Sequence, residues 1–304
     1  MEENNCGGRA GIARPLDFWR KGEAMVQHID GVAFQMGEPF DFGFLSKYGR
    51  VFKVFDDQDS GNICFGVQKA GEKYFVKFAG APTARCCDAP AQAVERLRVS
   101  LPVYQELRHP SLIQLVSWEE VGQGDSAGVA AVFHWAEGDC MGRMYEEAHQ
   151  RFMALPVKAR LQVYWDVLEF LDYVNRTGSV AIDFYDGSVM YNFDSGKTTI
   201  CDVDFFRKKP CVNDMGRMWG SAKFMSPEEF QLGAQIDEVT NVYTAGAMAF
   251  ALFGKYERGM DTWQLSPELY QTACKAVSDD RAKRQQSIAQ LMEEWKSGIE
   301  KADL

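Results

Sequence analysis

The sequence has no Cys-x-x-Cys pair and no regular spacing among its eight cysteines, which excludes a zinc ribbon and a disulfide framework. The thiols are therefore expected to be reduced, with Cys86 and Cys87 in a loop. No apolar stretch follows Met1, and the longest helical apolar run, residues 245–254, is too short to span a bilayer. A cytoplasmic protein without a membrane partner is expected. Basic residues are the minority, 33 Lys and Arg against 43 Asp and Glu, and a net charge of −10 does not suit a partner made of nucleic-acid phosphates. Hydroxyl side chains are missing too: residues 202–220 contain no Ser, Thr or Tyr.

What is present is ordinary globular material. The 304 residues are 46% hydrophobic and 25% charged, enough chain for two lobes and a sizeable core. Residues 1–14 are dominated by Gly, Asn and Glu and are expected to be disordered. In an N-terminal extension over 15–47, Leu16, Phe18, Trp19, Met25 and Val26 predict a short helix. Residues 48–55, 62–67 and 73–78 are rich in Val, Ile, Phe and Tyr between Gly-containing turns, the pattern of an antiparallel meander. A helix is expected over 92–109, kinked or divided at Pro102, and strands over 111–116 and 128–135. From Pro156, apolar residues recur at three and four, as Leu161, Tyr164, Val167, Leu168, Leu171 and Val174. That period is an amphipathic core helix.

The helix leads into residues 178–204, GSVAIDFYDGSVMYNFDSGKTTICDVD, where Asp183 sits in a loop and Asp202 and Asp204 close the segment. Carboxylates at strand edges are frequent metal ligands. This stretch resembles the catalytic loop and D-F-G of protein kinases, H-R-D-L-x-x-x-N followed by D-F-G. Ala181-Ile182-Asp183 stands for His-Arg-Asp, Tyr185 for a phosphate-facing Lys, and Ser188 for the Asn. The D-F-G has two placements: spacing favours Asp202, whereas Asp204-Phe205 keeps the D-F pair. Further motifs keep the family's order. Lys77 in YFVKFAG matches the strand lysine, and GSAKFMSPE at 220–228 closely resembles the G-T-x-x-Y-M-A-P-E end of an activation segment. TNVYTAG at 240–246 is similar to the opening of the next core helix, with Asn241 for the usual Asp. DRAKR at 280–284 resembles D-P-x-x-R, whose arginine pairs with the A-P-E glutamate, so Glu228 and Arg284 are expected to form an ion pair.

The resemblance covers about residues 48–295 and implies an α+β, bilobal protein kinase-like fold nearest to bacterial Ser/Thr kinases. A small β-rich lobe would occupy 48–135, a larger helical lobe 136–298, and a tail 299–304. It implies ATP and Mg2+ (or Mn2+) as cofactors, with catalytic Asp183, Lys77 and Glu95, and metal ligands Asp202, Asp204 or Ser188. Gly61, Ile63, Phe75, Lys77, Phe133, His134, Ala136 and Met190 would line the nucleotide site, with residues 131–141 as the hinge.

The departures matter as much. Glu95 lies 18 residues after Lys77 (95 − 77), a good spacing for its helix partner, but counting from His109 reaches Ser100 instead. The glycine loop ending at Gly61 carries Asp56, Asp57 and Asp59, and at ~5 Å with an effective dielectric of ~20 each aspartate–phosphate pair costs about 3 kcal/mol before screening. Phe75 replaces the usual small residue over the adenine, where a ring either narrows the pocket or stacks on the base. Three readings follow from the resemblance. They are an atypical protein Ser/Thr kinase with a protein substrate, a pseudokinase that binds a regulatory protein partner, and a small-molecule phosphotransferase of the aminoglycoside or choline type, against which GSAKFMSPE argues.

One prediction follows from an absence. With no hydroxyl in 202–220, and Ile182 where an arginine would read an activation-loop phosphate, the protein is not switched in that way. Phosphosite mapping by mass spectrometry is expected to find no activating phosphate there; a phosphate mapped to that segment and needed for activity overturns the claim.

Overall fold

Short apolar runs in the N-terminal half and 3.6-period patterns in the C-terminal half divide the fold. The computed structural model describes residues 24–58, 60–85, 89–122 and 127–302. It is an α+β protein with a β-rich N-terminal half and a helical C-terminal half. A hairpin of β1 (Met25–Ile29) and β2 (Val32–Met36) precedes β3 (Arg50–Phe55), β4 (Asn62–Lys69) and β5 (Glu72–Ala79). Helix α1 (Pro90–Glu106) follows, then β6 (Leu115–Val121) and β7 (Gly128–His134). Strands β3 to β7 form one antiparallel sheet in the order β3-β4-β5-β7-β6.

The sheet has apolar material on both faces. Ile63, Phe65 and Val67 of β4 and Val76 and Phe78 of β5 point to an upper core closed by Phe34, Met36, Phe42 and Leu45. Each fully buried aromatic or aliphatic side chain there contributes about 2 kcal/mol. The lid is the β1–β2 hairpin, so Met25 and Val26 belong to a strand rather than the expected helix. Burial alternates along both strands with a period of two, which a helix cannot satisfy. Residues 1–23, with the disorder and the remainder of that helix, and the Cys86-Cys87 loop lie outside the described residues. On the lower face α1 packs Leu97, Leu101 and Tyr104 against Ala79, Val129, Ala131 and Phe133. It runs through Pro102, which falls in its last turns.

The helical half begins with β8 (Asp139–Cys140), α2 (Glu146–Met153) and α3 (Val157–Arg176). Short strands β9 (Ser179–Val180), β10 (Val189–Tyr191), β11 (Thr198–Ile200), β12 (Arg207–Lys208), β13 (Cys211–Val212) and β14 (Gln235–Ile236) carry the loops. Helices α4 (Glu238–Phe253), α5 (Pro267–Ala276) and α6 (Ile288–Ala302) complete the chain. The amphipathic stripe of α3 is buried as its period requires. Helix α4 is buried on every side from Thr240 to Phe253, and Asp237 caps it by accepting from Val239 N–H. No helix among the described residues is long and apolar enough to cross a membrane.

The expected ion pair is present and larger than expected. Arg284, fully buried, holds both oxygens of the buried Glu228 at 2.7 and 3.0 Å, and Arg281 adds a bond at 2.6 Å. Burial would raise the Glu228 pKa, but the two arginines outweigh it and hold the carboxyl below its usual range. Arg284→Ala leaves the buried Glu228 only Arg281 and Thr240 and is expected to cost about 3 kcal/mol in urea unfolding, whereas Lys283→Ala, at an exposed neighbour, stays within about 0.5 kcal/mol. Equal unfolding midpoints for the two variants would show that the pair does not hold the fold.

Candidate active site

Asp183 is placed by the core helix below it. After α3, strand β9 pairs with β12, and the next residue, Ala181, is gripped from beneath by Asn241 of α4. Asn241 accepts from Ala181 N–H at 2.9 Å and donates to its carbonyl at 2.7 Å. An amide serves both groups, whereas a carboxylate can only accept, so asparagine closes both ends of this peptide. Asp183 then takes a left-handed conformation (φ 57°), as does Asp202 (φ 57°). Asp is among the few side chains that visit this region, at a cost on the order of 1 kcal/mol, and such residues gather at functional sites.

Asp202 and Asp204 meet Lys77. The ammonium reaches Asp202 at 3.2 Å and Asp204 at 2.5 Å, joining β5 to the segment after β11. Burial pulls the Lys77 pKa down, but the two carboxylates outweigh it and hold the amine charged. The other oxygen of Asp204 accepts from the Tyr104 hydroxyl at 2.6 Å, and that hydroxyl accepts from Val203 N–H at 3.2 Å. Asp204 is thus enclosed, with a side chain 12% exposed, whereas Asp202 is 50% exposed. Both placements of the D-F-G bring a carboxylate to the lysine. Asp202, followed by the fully buried Val203, is the more exposed carboxylate of the two.

Glu95 is not brought to Lys77. Its carboxylate, 65% exposed, pairs with Arg98 at 2.9 Å, and Arg98 also reaches Glu120. The reason is helical phase: α1 buries Ala93, Val94, Leu97, Leu101 and Tyr104, which turns Glu95 outward. Ser100 is buried and donates to Leu97 O. Tyr104, one turn beyond Ser100 on the same face, is the helix residue that joins the lysine–aspartate group; sequence reasoning missed it because a tyrosine is not a carboxylate.

The expected nucleotide-site residues divide. Phe75 lies on the lower face of β5 and Phe133 beside it on β7, ring centroids 6.3 Å apart, with Phe55 at 5.7 Å from Phe75 and Tyr104 at 4.9 Å from Phe133. Trp135 and Phe52 extend this roof; a Cβ on Gly66 would come within 3 Å of both, so only glycine lets the rings lie there. Ala136 and Met190 are half-buried, and Met190 pairs with Cys140. Ile63 corrects the expectation: it is fully buried in the upper core, and its neighbour Cys64 is the β4 residue paired with Lys77. Burial pushes the Cys64 thiol up to about 12. His134 is exposed and stacks on Tyr74 on the outer face. Gly61 turns the loop with φ 79°. The acidic loop is partly neutralised: Asp56 accepts from Gln35 N–H at 2.6 Å, and Asp57 pairs with Arg85 at 2.5 Å. Asp59 lies outside the described residues.

For a metal, the donor set is small. Among the described residues no three His, Cys, Asp or Glu side chains are grouped closely enough to hold an ion by themselves. Ser188 is fully buried, and its Oγ accepts from Tyr185 N–H at 3.5 Å, closing the loop from inside. Asp202 with phosphate oxygens and water suits magnesium, which keeps several non-protein ligands.

Asp183 also lines a narrow recess with Phe184, Ser221, Phe224, Met225 and Glu229. Burial raises the Glu229 carboxyl to about 7 although Ser226 donates to it twice. Tyr185 lies across Gly187, where a Cβ would sit 2.2 Å from its ring, and burial with the nearby Asp202 and Asp183 raises its hydroxyl pKa. Three consecutive basic residues after Phe206 are engaged with other partners: Arg207 with Asp214, Lys208 with Glu106, and Lys209 with Asn175 O.

Tyr104→Phe removes the hydroxyl that serves both Asp204 and Val203 and is expected to lower stability by about 1–2 kcal/mol in urea unfolding, while the exposed Glu95→Ala changes it by less than about 0.5 kcal/mol. The reverse order would return Glu95 to the lysine.

Comparison with known proteins gives a distant kinase-like relationship. No family model matches the chain. Over 165 residues it is 26% identical to the serine/threonine-protein kinase PksC of Streptomyces coelicolor, an alignment that covers 52% of this chain and 29% of the relative.

Proposed function

We propose that the chain is an atypical kinase-like phosphotransferase that transfers the γ-phosphoryl group of ATP, with magnesium, to a hydroxyl on a protein. On this reading the two halves are the lobes of a bilobal protein kinase-like fold in the cytoplasm, residues 48–135 and 136–298. The observation that carries it is the convergence of Lys77, Asp202 and Asp204, with the loop that carries Asp183 tied to α4 through Ala181 and Asn241. The distant likeness to a Ser/Thr kinase supports the same reading.

Each residue then has a task. Lys77 is a buried ammonium beside the only half-exposed carboxylate of its group and suits the nucleotide's phosphate oxygens. Asp202 suits the metal ion, and Asp204 keeps the lysine charged and aimed. The rings of Phe75 and Phe55 offer a stacking surface to the base. Asp183 orients the substrate hydroxyl and accepts its proton as the oxygen attacks. Bound magnesium ATP supplies the phosphoryl group and the cation that offsets its charge. A regulatory pseudokinase is the second reading, favoured by one observation: Lys77 is already satisfied by two aspartates under an aromatic roof.

Thermal unfolding separates the two. At nucleotide near tenfold its Kd, a bound state gains about 1.4 kcal/mol, a rise in Tm of roughly 2–4 °C. Wild type is expected to show this rise with ATP and magnesium, Asp202→Asn to lose its metal dependence, and Asp183→Asn to keep the rise but lose phosphotransfer. No shift at millimolar ATP would favour the binding module.

A further inference from the structure

In a chain of net charge −10, most cations near the candidate site are matched. Arg151 meets Asp139, Arg207 meets Asp214 and Lys208 meets Glu106. Arg143 and Lys223 are different. Both are exposed, and among the described residues neither makes an ion pair or a side-chain hydrogen bond. Instead both lie at one ring, that of Tyr256, with the Arg143 guanidinium carbon 4.7 Å and the Lys223 ammonium 5.7 Å from its centroid.

The ring is built into place. Lys255 and Tyr256 are consecutive left-handed residues (φ 54° and 65°), a backbone costing on the order of 1–2 kcal/mol at each. Tyr256 donates to the carboxylate of Asp186, which is only 4% exposed. The backbone amides of Arg143 and Gly187 act on the same carboxylate, working against the rise in its pKa that burial causes. One buried acid therefore fixes the ring and lies beside the backbone of Arg143. Position relative to Asp183 follows through Phe224, which lines the Asp183 recess and stands 6.3 Å from Tyr256, centroid to centroid. Two cations at one ring repel each other, and an anion between them replaces that repulsion by two attractions. Arginine adds a bidentate fork that matches carboxylate or phosphate oxygens.

We propose that Arg143 and Lys223, held at Tyr256 one ring away from the Asp183 recess, form a subsite that reads an acidic side chain of the protein substrate. This rests on the phosphotransferase reading and names its substrate class: hydroxyl-bearing segments flanked by carboxylate or phosphorylated residues. The preference is local, because the chain as a whole repels anions.

The test reads binding to the full chain without nucleotide, so that it stands apart from phosphotransfer. Three fluorescent peptides with one serine each, flanked by aspartates, by phosphoserine or by lysines, are titrated by anisotropy at about 0.15 M salt. The aspartate peptide is expected to bind about tenfold tighter than the lysine peptide, and Arg143→Ala/Lys223→Ala to lose about tenfold for the acidic peptides at unchanged Tm. Tighter binding of the phosphoserine peptide than of the aspartate peptide supports the subsite with phosphate as its source. Equal or better binding of the lysine peptide, no binding of any peptide, or unchanged affinity in the double variant overturns the proposal. Nucleotide stabilisation measured on the same samples shows separately whether the phosphotransferase reading survives.

Discussion

A buried ammonium must have partners or lose its proton, and the arrangement of this protein around Lys77 follows from that constraint. Lys77 lies in the middle of β5, in the β-rich half, while both of its carboxylates come from the segment after β11 in the helical half. The ionic contact therefore joins the two halves. Tyr104 brings α1 into the same group, since its hydroxyl bonds Asp204 and the backbone of Val203 together. Movement of any one of these elements would leave a charge or a hydroxyl unsatisfied at low dielectric.

A second polar system anchors the floor. Helix α4 has no solvent-facing side beyond its first turn, so its polar residues bond inward. Asn241 holds the peptide of Ala181, and Thr240 donates to Glu228, which Arg284 and Arg281 also bind. The loop that carries Asp183 and the segment that ends at Glu228 thus share one rigid base. Asp183, in its left-handed conformation, follows directly on the peptide that this base holds.

The aromatic roof on this face of the sheet is unusual in its chemistry. Rings from β3, β5 and Trp135, just after β7, close over one another near the lysine, and Gly66 leaves them room. The acidic loop, which the sequence sets against phosphate, has Asp56 turned to Gln35 and Asp57 to Arg85. Its charge is drawn off by the hairpin and by Arg85, which lessens the repulsion expected from Asp56 and Asp57 in isolation.

Local chemistry made several elements legible in the sequence. The apolar period of α3 and the pairing of Glu228 with Arg284 each rest on residues whose neighbours in the chain mark them out. Other features were decided only by packing. Glu95 had the right spacing but the wrong helical phase, because the apolar face of α1 fixes which side meets the sheet. Ile63 was displaced by Cys64 because strand register, set by pairing across β4 and β5, alternates faces residue by residue. The β1–β2 lid and the shared hold on Lys77 by Asp202 and Asp204 join residues far apart in the chain. A motif records which side chains are available; phase and register, which depend on the whole core, determine which of them meet.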